Sequence, residues 1–220
     1  MSRTSRRRAI RAVAPVAGLL AAGLLVWQGS YAAFSASTAN TNNAWTTGAL
    51  SLTNNGGGTA YSGGTTGVFA QTGLKIGDTG TKCITVNTGS TLNVAGDLRL
   101  YRSVAFGTNG VLGETVAQAT SLANAIGLTV TAVNLGLATG NVDSTCAGFP
   151  AGGTVVVNAG TLGGLGTSWA TASTTTMPVP VGTQRIAYKF AWTLTGTGTN
   201  AGDNALQGLA TTSDLNWEIQ

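Results

Sequence analysis

The side chains able to do chemistry are few and scattered. The 220 residues include seven acids, two cysteines and no histidine. Without an imidazole there is no Ser-His or Cys-His pair and no His-Glu-x-x-His zinc helix, and acid-base work near neutral pH loses its usual agent. The acids are Asp78, Asp97, Glu114, Asp143, Asp203, Asp214 and Glu218. Two of them meeting in space could cleave a glycosidic bond, but none of them clusters in sequence. Asp78 in Gly77-Asp-Thr-Gly80, Asp143 before Cys146, and Asp203 in Gly202-Asp-Asn204 read as turn residues whose carboxylates bond nearby backbone. Calcium at one of these is the remaining metal option. The strings Gly163-Gly-Leu-Gly166 and Gly196-Thr-Gly198 lack the Lys-Ser/Thr of a phosphate loop and read as turns. The expectation is a chain that is not an enzyme and holds no cofactor and no metal.

Cys83 and Cys146 cannot complete a zinc set without histidine. In an oxidising compartment such a pair ends as a disulfide. Closing a loop of about 64 residues would restrict the unfolded chain by on the order of 4 kcal/mol.

The N-terminus points to that compartment. Arg3, Arg6, Arg7, Arg8 and Arg11 precede an uncharged apolar run from Ala12 to Trp27, shorter than the roughly 20 residues of a spanning helix. Ser30 and Ala32 are the small residues that a signal peptidase inspects. Cleavage between Ala32 and Ala33 is expected, with an uncleaved anchor as the alternative. Export follows the general or the twin-arginine route. Removing residues 1–32 leaves six basic against seven acidic side chains, a formal charge of −1 in place of +4. The basic balance belongs to the leader, and no basic stripe remains to bind nucleic acid.

The elements that hold these residues follow from composition. Charged residues are only 8% and glycine reaches 33 of 220, a chain short of helix formers and rich in strand and turn types. Gly48 to Thr53, Lys82 to Asn87 and Asp97 to Val104 read as strands with one buried face, and Leu128 to Val133 and Gly153 to Asn158 as β-branched strands. Glu114 to Ile126 is the one helical stretch, lacking caps and able to lie across a sheet edge. Asn54 to Gly64 and the Thr-rich Thr171 to Met177 read as loops. The clearest alternation places Ile186, Tyr188, Phe190, Trp192 and Leu194 on one face, and Leu215, Trp217 and Ile219 on another. About eight strands with turns between them imply an all-β, antiparallel two-sheet sandwich, jelly-roll-like, with one short helix. The division expected is a signal peptide at 1–32, an N-terminal segment at 33–47 and a sandwich at 48–220.

That segment starts Ala33-Phe34-Ser35-Ala36-Ser37-Thr38 and stays small and uncharged to Asn43. Alone it has no reason to fold. It is either a plain leader into the domain or an extended strand to be added to the sheet of another subunit, with Phe34 as anchor. Head-to-tail addition does not close, so it builds fibres.

The junction Tyr31-Ala-Ala-Phe-Ser35 resembles the TasA/camelysin family of secreted proteins, whose signals are removed by a SipW-type peptidase. The resemblance continues through Asn43 to Leu52, in Gly77-Asp-Thr-Gly-Thr-Lys-Cys-Ile-Thr-Val86, and in Asn204-Ala-Leu-Gln-Gly208 with Trp217-Glu-Ile-Gln220. Ile76 stands where the family has proline, the Gly-rich 54–66 loop is unusual, and Arg102 to Pro180 is weakly matched. The resemblance implies a jelly-roll subunit of extracellular fibres in a biofilm matrix or surface coat. Its partners would be itself through the donor segment, a second matrix or anchor protein, and the signal peptidase. The family's metallopeptidase label finds no ligands in a chain without histidine. The other class of function is a monomeric secreted surface domain that binds glycan or protein.

Overall fold

The computed structural model describes residues 36–39, 52–63, 67–89, 96–108, 113–136, 140–172, 175, 177–180 and 182–220. Within them the strands are β1 (Ala36–Ala39), β2 (Leu52–Asn54), β3 (Thr79–Thr88), β4 (Gly96–Arg102), β5 (Ile126–Asn134), β6 (Thr154–Thr161), β7 (Met177–Val179), β8 (Arg185–Leu194) and β9 (Leu215–Ile219). Two helices, α1 (Val116–Ala125) and α2 (Asn200–Ala205), and one 3-10 turn at Trp169–Thr171 complete the elements.

The strands form two antiparallel sheets, one ordered β1-β9-β4-β7 and the other β2-β3-β8-β5-β6. Setting aside β2, the order is that of a jelly roll: β3 to β4, β4 to β5, β6 to β7, β7 to β8 and β8 to β9 all change sheet. The protein is thus an all-β sandwich. Alternation sets which side chains fill it. Ile84 and Val86 of β3, Ile186, Tyr188 and Phe190 of β8, Leu98 and Leu100 of β4, and Leu215, Trp217 and Ile219 of β9 are buried in one core. Aromatic edges meet at its centre, with the Tyr188 and Phe190 rings 5.6 and 6.4 Å from that of Trp217, a geometry that the ring quadrupoles favour. Trp192, at the end of the same row, is only partly buried and packs against the core. Its ring crosses over Gly80, where a Cβ would come within 2.6 Å of ring carbon Cε2.

Several sequence expectations need correction. The helix is capped, because Thr115 accepts from Gln118 N while the Gln118 side chain accepts from Thr115 N, a reciprocal capping box. It packs beside β5 and the edge strand β6. There is a second helix, α2, and Asp203 lies in it rather than in a turn; Thr199 caps it by accepting from Gly202 N. The end of the Thr-rich stretch is β7, which pairs with β4 and carries Pro178 at an outer edge, where a missing N–H does least harm. The strand expected from Gly48 to Thr53 is described only from Leu52, and residues 48–51 lie outside the described residues.

Candidate functional site

The expected donor segment reaches the described residues at Ala36. Ala36, Ser37 and Thr38 form most of β1, while Ala32, Ala33, Phe34 and Ser35 lie outside them. Among the described residues β1 is an edge strand whose one sheet neighbour is β9. Its register is Ala36 opposite Ile219, Ser37 opposite Glu218, Thr38 opposite Trp217 and Ala39 opposite Asn216.

The hydrogen-bond phase of β9 follows from its other neighbour. Gln220 and Asp97 exchange both backbone bonds, at 3.3 and 3.0 Å, and Ser103 N donates to Asp214 O at 2.9 Å. In an antiparallel ladder bonded pairs recur every second residue. Glu218 with Arg99 and Asn216 with Tyr101 are therefore the bonded pairs toward β4. The N–H and C=O groups of Trp217 and Ile219 point the opposite way, toward Thr38 and Ala36. Four backbone groups thus make up the edge that β1 completes.

The faces of β9 are unlike. Leu215, Trp217 and Ile219 face the core. On the outer face Glu218 accepts from the Tyr101 hydroxyl at 2.9 Å and from Gln220 Nε2 at 2.7 Å. Burial raises the Tyr101 phenol above its ordinary value, and the Glu218 carboxylate raises it further. Arg99, opposite Glu218, stacks its guanidinium 4.8 Å from the Trp169 ring centroid and donates to Trp169 O at 3.2 Å.

The cysteines are joined. Cys83 on β3 bonds Cys146, with Cα atoms 5.1 Å apart. Val142 and Ala187 are buried beside this bond, and Phe149 packs against them. A second tie lies alongside. Asn55, 4% exposed, accepts at Oδ1 from Thr85 N at 2.8 Å and Gly57 N at 3.1 Å. Its Nδ2 lies 2.8 Å from Asn141 Oδ1 and Gly58 O and 3.0 Å from Val142 O. Thr85 Oγ1 also donates to Val142 O at 3.0 Å and accepts from Val142 N at 3.1 Å. Gly57 has φ +75°, and a Cβ there would come within 2.6 Å of Ser144 Cβ, so the glycine-rich stretch is shaped to meet the 140–149 loop.

The carboxylates do not assemble. Asp78 accepts from Lys75 N at 2.8 Å, Asp143 from Thr145 N and Oγ1 at 2.8 and 2.6 Å, and Asp203 from Thr197 N and Oγ1 at 2.6 and 2.8 Å. The Thr145 hydroxyl holds the Asp143 carboxyl below its usual range, with help from the Thr145 N–H. Among the described residues no group of three or more His, Cys, Asp or Glu could hold a metal, and no helix is long and apolar enough to cross a membrane. Arg99, Arg102, Arg185 and Lys189 lie over Trp169, Phe106, Tyr61 and Phe149.

One surface was not foreseen. On the outer side of the five-stranded sheet, away from the disulfide, a groove of about 820 Å³ is lined by Thr79, Thr81, Thr129 and Thr193 with Ser121 and Asn124 of α1. No ionisable side chain enters its lining. Its sequence signal is threonine at alternate positions, as in Thr79-Gly-Thr81. No family model matches this chain, and no curated protein is similar to it.

Proposed function

We propose that the chain is a secreted structural subunit of extracellular fibres or of a biofilm matrix, assembled by lending its N-terminal segment as a β-strand to the next subunit. The observation that carries this reading is β1: a charge-free strand near the N-terminus, at a sheet edge and, among the described residues, bonded in its sheet to β9 alone. The ladder it makes on its own β9 can be made equally by the segment of another copy, as in a domain swap. Cis pairing has the advantage of a tethered segment. Trans pairing gains if it adds Phe34, which shares the sequence parity of Ala36 and Thr38; burying a Phe contributes roughly 1.5–3 kcal/mol. The disulfide, formed in an oxidising compartment, supports export. On this reading Ala32 and Ala33 flank the signal cut, Ala33 to Asn42 is the donor, and resemblance to the TasA/camelysin family supplies the biological setting.

The test is electron microscopy of the chain beginning at Ala33, alone and with an excess of a peptide spanning Ala33 to Asn42. Fibres are expected alone, and stunted fibres with the peptide, which caps the β9 edge. Absence of fibres across pH, salt and seeding, or growth indifferent to the peptide, would overturn the reading.

The groove favours a second reading, a surface domain for neutral glycan, since hydroxyl and amide groups without charge suit a neutral oligosaccharide. Calorimetry with chitohexaose and cellohexaose tests it, and heat lost on Thr129→Val would support it.

A further inference from the structure

Among the described residues the sandwich has four edges, and three of them offer a partner little. Among the described residues β1 spans four residues and β2 three; β2 is also bridged on its outward side by Ser62, which exchanges bonds of 2.9 and 3.0 Å with Asn54. β7, described over three residues, carries Pro178, which cannot donate. Short edges, covered edges and proline are the usual defences against pairing with a stranger. The fourth edge, β6, lacks them. It reads Thr154-Val-Val-Val-Asn-Ala-Gly-Thr161, eight residues with no charge and no proline. Thr154, Val155 and Asn158 are exposed, Val155 at 41%, while Val156 is buried and Val157 half-buried against the core. Two register shifts against β5, between Leu128 and Thr131, are the one edge defence that it carries.

We propose that the Thr154–Asn158 edge of β6 pairs antiparallel with the same edge of a second copy, joining two five-stranded sheets into one across a two-fold axis. Charge selects this occupant. A strand with no charge offers nothing to steer or hold an acidic or basic peptide, whereas set against itself it brings no like charges together. The chain beyond Ala32, at a formal −1, adds little repulsion between copies. The β-branched run Thr154 to Val157 suits a ladder, and an isologous contact needs only the one strand. So short a contact buries less than the ~1,200 Å² of a standard stable interface, so pairing of single subunits is weak. It gains strength when many copies lie side by side; only that use, the bundling of fibres, rests on the fibre reading.

The test compares the chain beginning at Ala33 with its Val155→Lys/Asn158→Lys variant, two exposed sites that leave the core untouched. Amide exchange of Thr154 to Asn158 is measured from low to high micromolar concentration, beside sedimentation. Protection that grows with concentration in the parent and an association at least tenfold weaker in the variant are expected. Exchange of these amides that ignores concentration, or growing protection that survives both lysines, would overturn the pairing. Microscopy separates the two ideas: bundled fibres that become single filaments in the variant support both, while absent fibres with concentration-dependent protection remove the fibre reading and leave the β6 contact standing.

Discussion

Two regions of the sandwich are secured very differently. At one, the 140–149 loop is tied to β3 by the Cys83–Cys146 bond and by Asn55, whose amide reaches five partners in a buried setting. At the other, β1 lies against β9 through four residues. A covalent bond and buried hydrogen bonds resist opening because each broken partner is left unsatisfied; an edge ladder of small residues opens into water, which satisfies what it frees. The contrast separates the part of the molecule built to stay from the part able to exchange.

The strongest way to break the contrast is Asn55→Ala. It leaves the Thr85 and Gly57 N–H groups without the amide oxygen that accepts from both, each at roughly 1–3 kcal/mol when buried, while the Val142 carbonyl keeps the Thr85 hydroxyl. A loss of about 3–5 kcal/mol is expected in urea unfolding, with an unchanged disulfide. Replacing both cysteines by alanine should cost less, ~2–4 kcal/mol. Because Val142 touches both ties, the triple variant should lose less than the sum, a coupling that a double-mutant cycle reads directly.

Alkali should act on both regions at once. Burial raises the phenols of Tyr61, whose hydroxyl donates to Asn141 Oδ1 at 2.9 Å beside Asn55, of Tyr101 on the strand next to β9, and of core Tyr188. A group whose folded pKa is raised gives its full stabilisation below its unfolded value, about 10 for tyrosine, and loses it as pH climbs toward the folded value. With no histidine to titrate, stability measured by unfolding should stay flat from about pH 6 to 9 and decline above about pH 10. Tyr61→Phe and Tyr101→Phe should each make that decline shallower, and a steeper decline in either would contradict the assignment.

Legibility followed the range of the signal. The rows Ile186 to Leu194 and Leu215 to Ile219 were readable because period-two alternation of large side chains states a strand and its buried face together. The cysteine pair was readable because only two are present. The capping box was present in the letters Thr115-Val-Ala-Gln118 and outweighed by the small residues behind it. α2 and β7 hid behind Asn, Gly and Pro, which argue for turns unless a cap such as Thr199 or an edge position overrides them. The acceptor of β1 had no local signal at all, since Ala36 meets Ile219 from the far end of the chain. Asn55 looked like loop composition, and only burial shows it to be a tie.

The finest test lies within β9 itself. Its amides alternate: Asn216, Glu218 and Gln220 donate toward β4, an interior neighbour, while Trp217 and Ile219 donate toward β1. If β1 can leave without the rest of the sandwich, Trp217 and Ile219 should exchange through that local opening, and Asn216 and Glu218 only through a larger one. Both sets share one strand, and the core burial of Trp217 and Ile219 alone would predict the reverse order. Faster exchange at Trp217 and Ile219, by roughly tenfold or more for each ~1.4 kcal/mol between the two openings, therefore reports the departure of β1. Equal rates across the strand would mean that β1 leaves only when the sandwich unfolds, and the contrast between the two regions would fail.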